Sequence, residues 1–295
     1  MPDPNELSNR INEKYSRFSK GQKALATFIV DHYDQAVFLT AEKLGEAVGV
    51  SESTAVRFAI ALGYKGYPQM QEALGAMLRG KLHSVQAMEA AYKGSSHAEI
   101  LEQVMSRDAE KIQQTAKSID PAAFELALKS LLSAKRIYII GLRSCAPLAA
   151  FLAFYFELIF EDVRLLSTNS ASELFEQMAN IKKEDVIIGI SFPRYSMRTL
   201  KAMEFANQRS ATVITLTDSV HSPMNLYSSC NLIAKSDMAS IADSLVAPLS
   251  VINALIVALC MKMQTEVEKR FQMLEEIWEE YHVDGNDEID RLNLS

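Results

Sequence analysis

Two short helical patterns joined at a glycine constrain this chain more than any other feature. The run Thr40-Ala-Glu-Lys-Leu-Gly-Glu-Ala-Val-Gly-Val-Ser-Glu-Ser-Thr-Ala-Val-Arg-Phe-Ala-Ile-Ala-Leu-Gly63 has Leu44, Val48, Val50 and Phe58 at spacings that let two helices share one small core. Gly49 stands where the chain must turn sharply. Thr40 and Ser51 put a hydroxyl at each helix start, where it accepts from free backbone N–H groups. Ser51, Ser53, Thr54 and Arg57 then fall on the side of the second helix away from that core. A turned helix pair with a polar, Arg-bearing second helix is the helix-turn-helix arrangement, which sets its second helix in the major groove of DNA. The competing reading is a plain helical hairpin inside a larger helical core.

Charge tests that expectation. The 295 residues carry a net charge of −7, which as a sum argues against a nucleic-acid binder. The distribution says otherwise: residues 1–80 hold nine Lys or Arg and nine Asp or Glu, so the whole excess of acid lies beyond them. A neutral head binds DNA if its cations face one way, and Lys20, Lys23, Lys43, Arg57 and Lys65 are the candidates for that face. Three cysteines, Cys145, Cys230 and Cys260, are too few and too dispersed for a disulfide framework or a zinc site, and neither metal nor cofactor is expected. The opening residues show no apolar stretch of the secretory kind. Ser244 to Met261 has 18 residues without a charge, but Pro248, Ser250 and Asn253 interrupt it and the helical pattern continues to Glu280. The expectation is one long helix buried in its first half, in a cytoplasmic protein with no membrane partner.

The length suggests two domains. Residues 19 to 33 give a helical pattern with Ala24, Leu25, Phe28 and Ile29 on one face, and Pro68 opens another helix to about Gly80. We assign residues 1–80 to the helix-turn-helix domain, 81–98 to a linker that contains Lys93-Gly-Ser-Ser96, 99–283 to a second domain and 284–295 to an acidic tail. Within the second domain the periodicity changes. Arg136–Ile140, Asp185–Ile190 and Ala211–Leu216 are short, nearly continuous runs rich in branched residues, as strands covered on both faces require; Val163–Leu166 and Asn231–Ala234 are weaker examples. Helical patterns at about 146–160, 172–179 and 196–208 separate them. Strands alternating with helices imply a doubly wound parallel sheet, α/β beside the all-helical head, with ligands bound at the carboxyl ends of the strands.

Two of those ends carry unusual loops. The first strand runs into Gly141-Leu-Arg-Ser-Cys-Ala-Pro147, and the third into Ser191-Phe-Pro-Arg-Tyr-Ser-Met-Arg-Thr199; each is followed by a helix. A helix N-terminus attracts an anion through its free N–H groups and its dipole. Ser144, Ser191, Ser196 and Thr199 add hydroxyl donors, while Arg143, Arg194 and Arg198 add the planar cation that suits a phosphate or carboxylate. Asp218, Ser222, Pro223, Ser240 and Ser244 are further candidates. For each one the alternative is a residue that caps a helix or turn.

The head motif Ser51-x-x-Thr54-x-x-Arg57-Phe58, with Leu62-Gly63-Tyr-x-Gly66-Tyr67 after it, resembles the DNA-binding domain of the RpiR-type bacterial transcriptional regulators. The second half resembles their sugar isomerase (SIS) domain, a flavodoxin-like fold that binds phosphosugars. The resemblance spans nearly the whole chain, in the same domain order. It implies a ligand site that includes Gly141, Arg143, Ser144, Cys145, Ser191, Arg194, Ser196, Arg198, Ser240 and Ser244. The family's first loop is usually Gly-x-Gly-x-Ser; here Gly141 matches, Arg143 stands for the second glycine and Cys145 for the serine. Its second loop is usually Ser-x-Ser-Gly-x-Thr/Ser; here Ser191 and Ser196 match, and Pro193 and Arg194 replace the middle pair. Two arginines in place of glycines narrow the pocket and add positive charge, which points to a compact or more anionic effector such as a phosphorylated sugar acid.

A phosphosugar isomerase on the same fold is the rival. Isomerisation needs a positioned base. Glu157, Glu173 and His221 are the candidates, none with a partner acid or base in an evident motif. The reading adopted is therefore a regulator, not an enzyme, whose partners are double-stranded operator DNA and a phosphorylated sugar or sugar acid. A third reading is an adaptor that binds only protein. One helix-turn-helix makes few base contacts, so a homodimer or homotetramer is expected, with Ser51, Ser53, Thr54, Arg57, Lys20, Lys43 and Lys65 on the DNA.

Overall fold

The computed structural model describes residues 6–75, 89, 91–168, 170–193, 195–236 and 244–280. The head begins with α1 (Glu6–Lys14), a helix the sequence reading leaves unassigned, which buries Leu7 and Ile11 one turn apart, with Tyr15 a further turn on. Next come α2 (Lys20–Asp31), started by a Ser19–Gln22 capping box, and the single turn α3 (Tyr33–Ala36). The pair at the centre of the sequence reading is α4 (Ala41–Val48) and α5 (Glu52–Ala61). Helical residues 67–75 form α6. Leu25, Ile29, Leu44, Phe58, Leu62, Met70 and Leu74 make the head's core.

Arg10 and Lys14 on α1 reach across to the end of α5. Arg10 Nη1 donates to the Leu62 carbonyl at 3.1 Å and Lys14 Nζ to the Ala61 carbonyl at 2.9 Å. These carbonyls lack intrahelical partners, and the helix dipole favours cations there. The chain then turns at Gly63 with φ +91°, where a Cβ would come within 2.9 Å of Arg10 Nη1.

Two helices, α7 (His97–Ser118) and α8 (Pro121–Leu132), lead to the sheet. Strands β1 (Ile137–Gly141), β2 (Val163–Leu166), β3 (Val186–Ile190), β4 (Thr212–Thr217) and β5 (Cys230–Ile233) are all parallel in the order β2-β1-β3-β4-β5. Between them run α9 (Ala146–Ile159), α10 (Ala171–Gln177) and α11 (Met197–Gln208). Side chains alternate across the sheet. Ile137, Ile139, Val186, Ile188, Ile214 and Leu216 pack under α8, α9 and the later helix α12 (Val246–Lys262). Tyr138, Ile140, Ile187 and Val213 face α11, and their cluster runs on without a break into the core of the head.

The fold class is the one the sequence implies, an all-helical head beside a doubly wound sheet. The expected single C-terminal helix is corrected: α12 ends at Lys262, and α13 (Gln264–Glu280) leaves at 93° to it. Among the described residues no single helix is long and apolar enough to cross a membrane. Of the expected linker, residues 81–88 and 90 lie outside the described residues, as does the tail 284–295. Ser96 caps α7 with Glu99 in return, so helix begins inside the stretch assigned to the linker.

Candidate DNA interface and effector site

In the head, α4 is capped by the Thr40 hydroxyl on the Lys43 N–H at 3.2 Å, and Gly49 ends it in the left-handed region at φ +74°. A Cβ at Gly45 would stand 2.7 Å from the Val50 carbonyl oxygen, so the two helices close on a glycine the sequence reading did not single out. Ser51 caps α5, and its Oγ lies 2.9 Å from both Ser53 Oγ and Thr54 Oγ1. Arg57 donates to the Ser53 carbonyl at 3.2 Å. Three hydroxyls and a guanidinium thus cluster on the first two turns of one helix. Ser51, Ser53 and Arg57 are exposed, whereas Thr54 is half-buried against Gly21.

Lys20, Lys43 and Lys65 are exposed as well, at the start of α2, the start of α4 and beyond the end of α5. Lys23 is a correction. Its ammonium sits 3.0 Å from Glu204 on α11 and 5.1 Å from the centroid of the Tyr15 ring, so it is engaged within the chain and not on the open face.

At the sheet, register brings the two unusual loops side by side. Gly141 at the end of β1 pairs with Ile190 at the end of β3, and the Ser191 N–H donates to the Leu216 carbonyl of β4 at 3.1 Å. A Cβ at Gly141 would meet the Cys145 carbonyl oxygen at 2.7 Å; the loop folds back over the strand end, and only glycine admits it. Arg143 has φ +58°, the left-handed region that favours glycine, and its side chain is exposed beside exposed Ser144. Cys145 is buried with the core under α9. Its thiol is therefore among packing side chains, unlike the hydroxyl it replaces in the resemblance.

The second loop is built inward. Ser191 is buried and its Oγ accepts from the Ser196 N–H at 3.1 Å. Ser196 is buried too and caps α11 through the Thr199 N–H at 3.3 Å. Thr199 Oγ1 is fully buried one turn in and has no hydrogen-bond partner among the described residues. Arg198 is half-buried on the same turn. Across the loop the Tyr195 hydroxyl donates to Asp218 Oδ1 at 2.8 Å, tying the end of β3 to the end of β4. Burial first, then the Asp218 carboxylate, push the Tyr195 phenol well above its ordinary value. Tyr195 was not a sequence candidate; an aromatic flanked by a proline, an arginine and a serine carries no periodic signal.

Ser222 joins the same cluster, accepting from the Thr217 hydroxyl at 2.9 Å beside Asp218 and Tyr195. Ser244 donates to Asp108 Oδ1 on α7 at 2.6 Å. Arg194 and Ser240 lie outside the described residues. Of the candidate bases, Glu157 is exposed on α9, Glu173 accepts from the Thr168 hydroxyl, and His221 is exposed in the loop after β4.

A helical head with a polar, capped second turn helix, joined to a parallel sheet whose adjacent strand ends carry serines and arginines, defines a helix-turn-helix protein with an appended α/β domain. The comparisons with known proteins go further. The helix-turn-helix domain model of the rpiR family matches residues 5–80, and the SIS domain model matches residues 130–258. An uncharacterized HTH-type transcriptional regulator of Haemophilus influenzae is 26% identical over 229 residues, 77% of this chain and 79% of that protein. Another, from Caldanaerobacter subterraneus, is 22% identical over 277 residues, 90% of this chain and 95% of that protein. The sugar isomerase domain of an RpiR transcription factor from Sphaerobacter thermophilus superposes with a TM-score of 0.57 at 25% identity, over 59% of this chain and 97% of that one. The Vibrio vulnificus NanR protein, complexed with ManNAc-6P, does so with a TM-score of 0.54 at 21% identity over 93% of this chain and 98% of that one. This chain belongs to the RpiR-type family of helix-turn-helix transcriptional regulators that carry a SIS domain.

Proposed function

We propose that the chain is a DNA-binding regulator whose SIS domain senses a phosphorylated sugar or sugar acid and alters operator binding in response. The observation that carries this is the pair of loops on neighbouring strand ends. They set Ser191, Ser196, the N-terminus of α11 and the exposed Arg143 at adjacent strand ends, groups of the kind that bind an anion. Membership of the family supports the DNA-binding half, and the neighbour bound to ManNAc-6P supports the phosphosugar half. Ser51, Ser53, Thr54, Arg57, Lys20, Lys43 and Lys65 are the residues proposed at bases and phosphates. We keep the division into a head (1–80), a linker (81–98), a sensor (99–283) and a tail (284–295).

Aldose–ketose chemistry needs a base within hydrogen-bond reach of the reacting carbon; the candidates Glu157, Glu173 and His221 are all exposed, and Glu173 already accepts from the Thr168 hydroxyl. A homodimer or homotetramer is proposed because one head makes few base contacts. Exposed Leu101 and Met105 on α7 and Val257 and Met261 on α12 supply apolar surface for it.

A thermal-shift series tests the sensor reading, since a ligand that binds only the folded state raises its apparent stability. A tenfold excess of ligand over its Kd adds about 1.4 kcal/mol. We expect 6-phosphogluconate to raise Tm more than glucose 6-phosphate; preference for the neutral sugar removes the argument from Arg143, and no shift from any sugar phosphate removes the sensor.

A further inference from the structure

Helix α11 touches both halves of the molecule. Its first turn holds Ser196, Arg198 and Thr199 at the strand-end loop. Eight residues on, about 12 Å along the axis, Glu204 binds Lys23 of the head at 3.0 Å. Both side chains are mostly shielded, at 26% and 17% exposure, where an ion pair is less screened than at an open surface. The loop after β4 reaches the same carboxylate by another route. It runs from Asp218 into the short helix Pro223–Tyr227, and Asn207 on α11 donates to the Tyr227 carbonyl at 3.2 Å. Burial, with the neighbouring Glu204 carboxylate adding to it, pushes the Tyr227 phenol up to about 12. The two loops that Tyr195 and Asp218 join therefore meet a second time at Glu204.

On the other side of the pair, Lys23 lies on α2, two residues after Gly21. A Cβ at Gly21 would be 3.2 Å from Val50 Cγ1 and 3.4 Å from Thr54 Cγ2, so α2 rests on the turn and first turn of α5 with no intervening gap. Close-packed elements of this kind move together. A displacement of α2 is a displacement of the hydroxyl cluster at the start of α5.

We propose that the Lys23–Glu204 pair is the coupling latch of this regulator, through which an anion held at the 191–199 loop and DNA held at α5 alter each other's binding. The latch rests on the sensor reading above and adds to it the route: loop, α11, Glu204, Lys23, α2, α5. Thermodynamic linkage makes the coupling reciprocal: DNA changes the loop's affinity for its anion by the same factor as the anion changes the affinity for DNA. The test consequently needs no knowledge of the effector.

A duplex is selected from a random library with the full-length protein, and amide hydrogen exchange of residues 191–199 is measured with and without it. In the wild-type chain the duplex is expected to change exchange there by about fivefold or more, matching the smallest affinity couplings between sites. Glu204→Gln and Lys23→Gln still bind the duplex but lose that response, and the charge-swapped double variant Lys23→Glu with Glu204→Lys regains it. A merely structural pair would alter stability, which circular dichroism and thermal unfolding report separately, and leave the response in place. A wild-type loop that ignores bound duplex overturns the latch, as does an unchanged response in Glu204→Gln. If no duplex can be selected, the DNA-binding reading itself falls, and the latch with it.

Discussion

Replacing Arg143 by glycine moves stability and affinity in opposite directions. At φ +58° a side chain crowds the following carbonyl at a cost of about 1–2 kcal/mol, which glycine relieves. Glycine in turn loses more chain entropy on folding, about 0.5–1 kcal/mol. The net change runs from about zero to 1.5 kcal/mol in favour of the folded state, or up to about 6 °C in Tm for a domain of this size. The guanidinium lost with the arginine is another matter. A hydrogen bond to a charged group contributes about 1.5–3 kcal/mol, equivalent to a roughly 10- to 150-fold weaker Kd for a bound sugar phosphate. Arg143→Ala serves as the companion, because it removes the charge and retains the backbone strain. Thermal unfolding and calorimetric titration with the sugar phosphate that gives the largest thermal shift read the two effects. Glycine is expected to be as stable as the wild type or more so, alanine less so, and both are expected to bind weakly. Wild-type affinity in either variant would refute the assignment of Arg143 to the ligand, and a markedly destabilised glycine variant would refute the backbone argument.

Two other substitutions probe the head. Gly45→Val would drive a side chain into the Val50 carbonyl; overpacking of this kind costs about 1–3 kcal/mol, and it separates α4 from α5, so duplex binding in a mobility-shift assay should fall together with the Tm. Tyr67→Phe removes the hydroxyl that donates to the Leu39 carbonyl at 2.9 Å, at a cost of about 1 kcal/mol. Burial also pushes that phenol up to about 12, so the folded state favours the neutral form. The associated stability is complete below the ordinary tyrosine value of about 10 and is lost as the pH rises from there towards 12. Urea unfolding at pH 8, 10 and 11 should show a smaller alkaline loss in Tyr67→Phe than in the wild type.

The sheet was legible because its strands are buried on both faces and read as continuous branched runs; each main strand lies within a residue of where those runs put it. The helix pair was legible for a different reason, a cap, a turn glycine and a cap in sequence. Helix α1 was not, since Leu7, Ile11 and Tyr15 stand among polar neighbours and are buried only in the assembled core of the head. Nothing local marks the bend at Met263, because packing and not propensity ends α12 there. The site divides in the same way. Hydroxyls and arginines before helix starts are visible in one dimension, but the left-handed conformation of Arg143 emerges only from its backbone. The pairing of Lys23 with Glu204 spans 181 residues and leaves no pattern in either segment.

The cap that Arg10 and Lys14 place on the end of α5 has a consequence for how the head assembles. During synthesis α1 leaves the ribosome before α5, and its hydrogen-bond acceptors, the carbonyls of residues 61 and 62, emerge about fifty residues later. Until then α1 is a short helix with an apolar stripe and no core to bury it in, and helices of that length do not persist alone in water. The head is therefore expected to close with α1 and α5 locking in one step, and in native-state hydrogen exchange the two should open as a single cooperative unit.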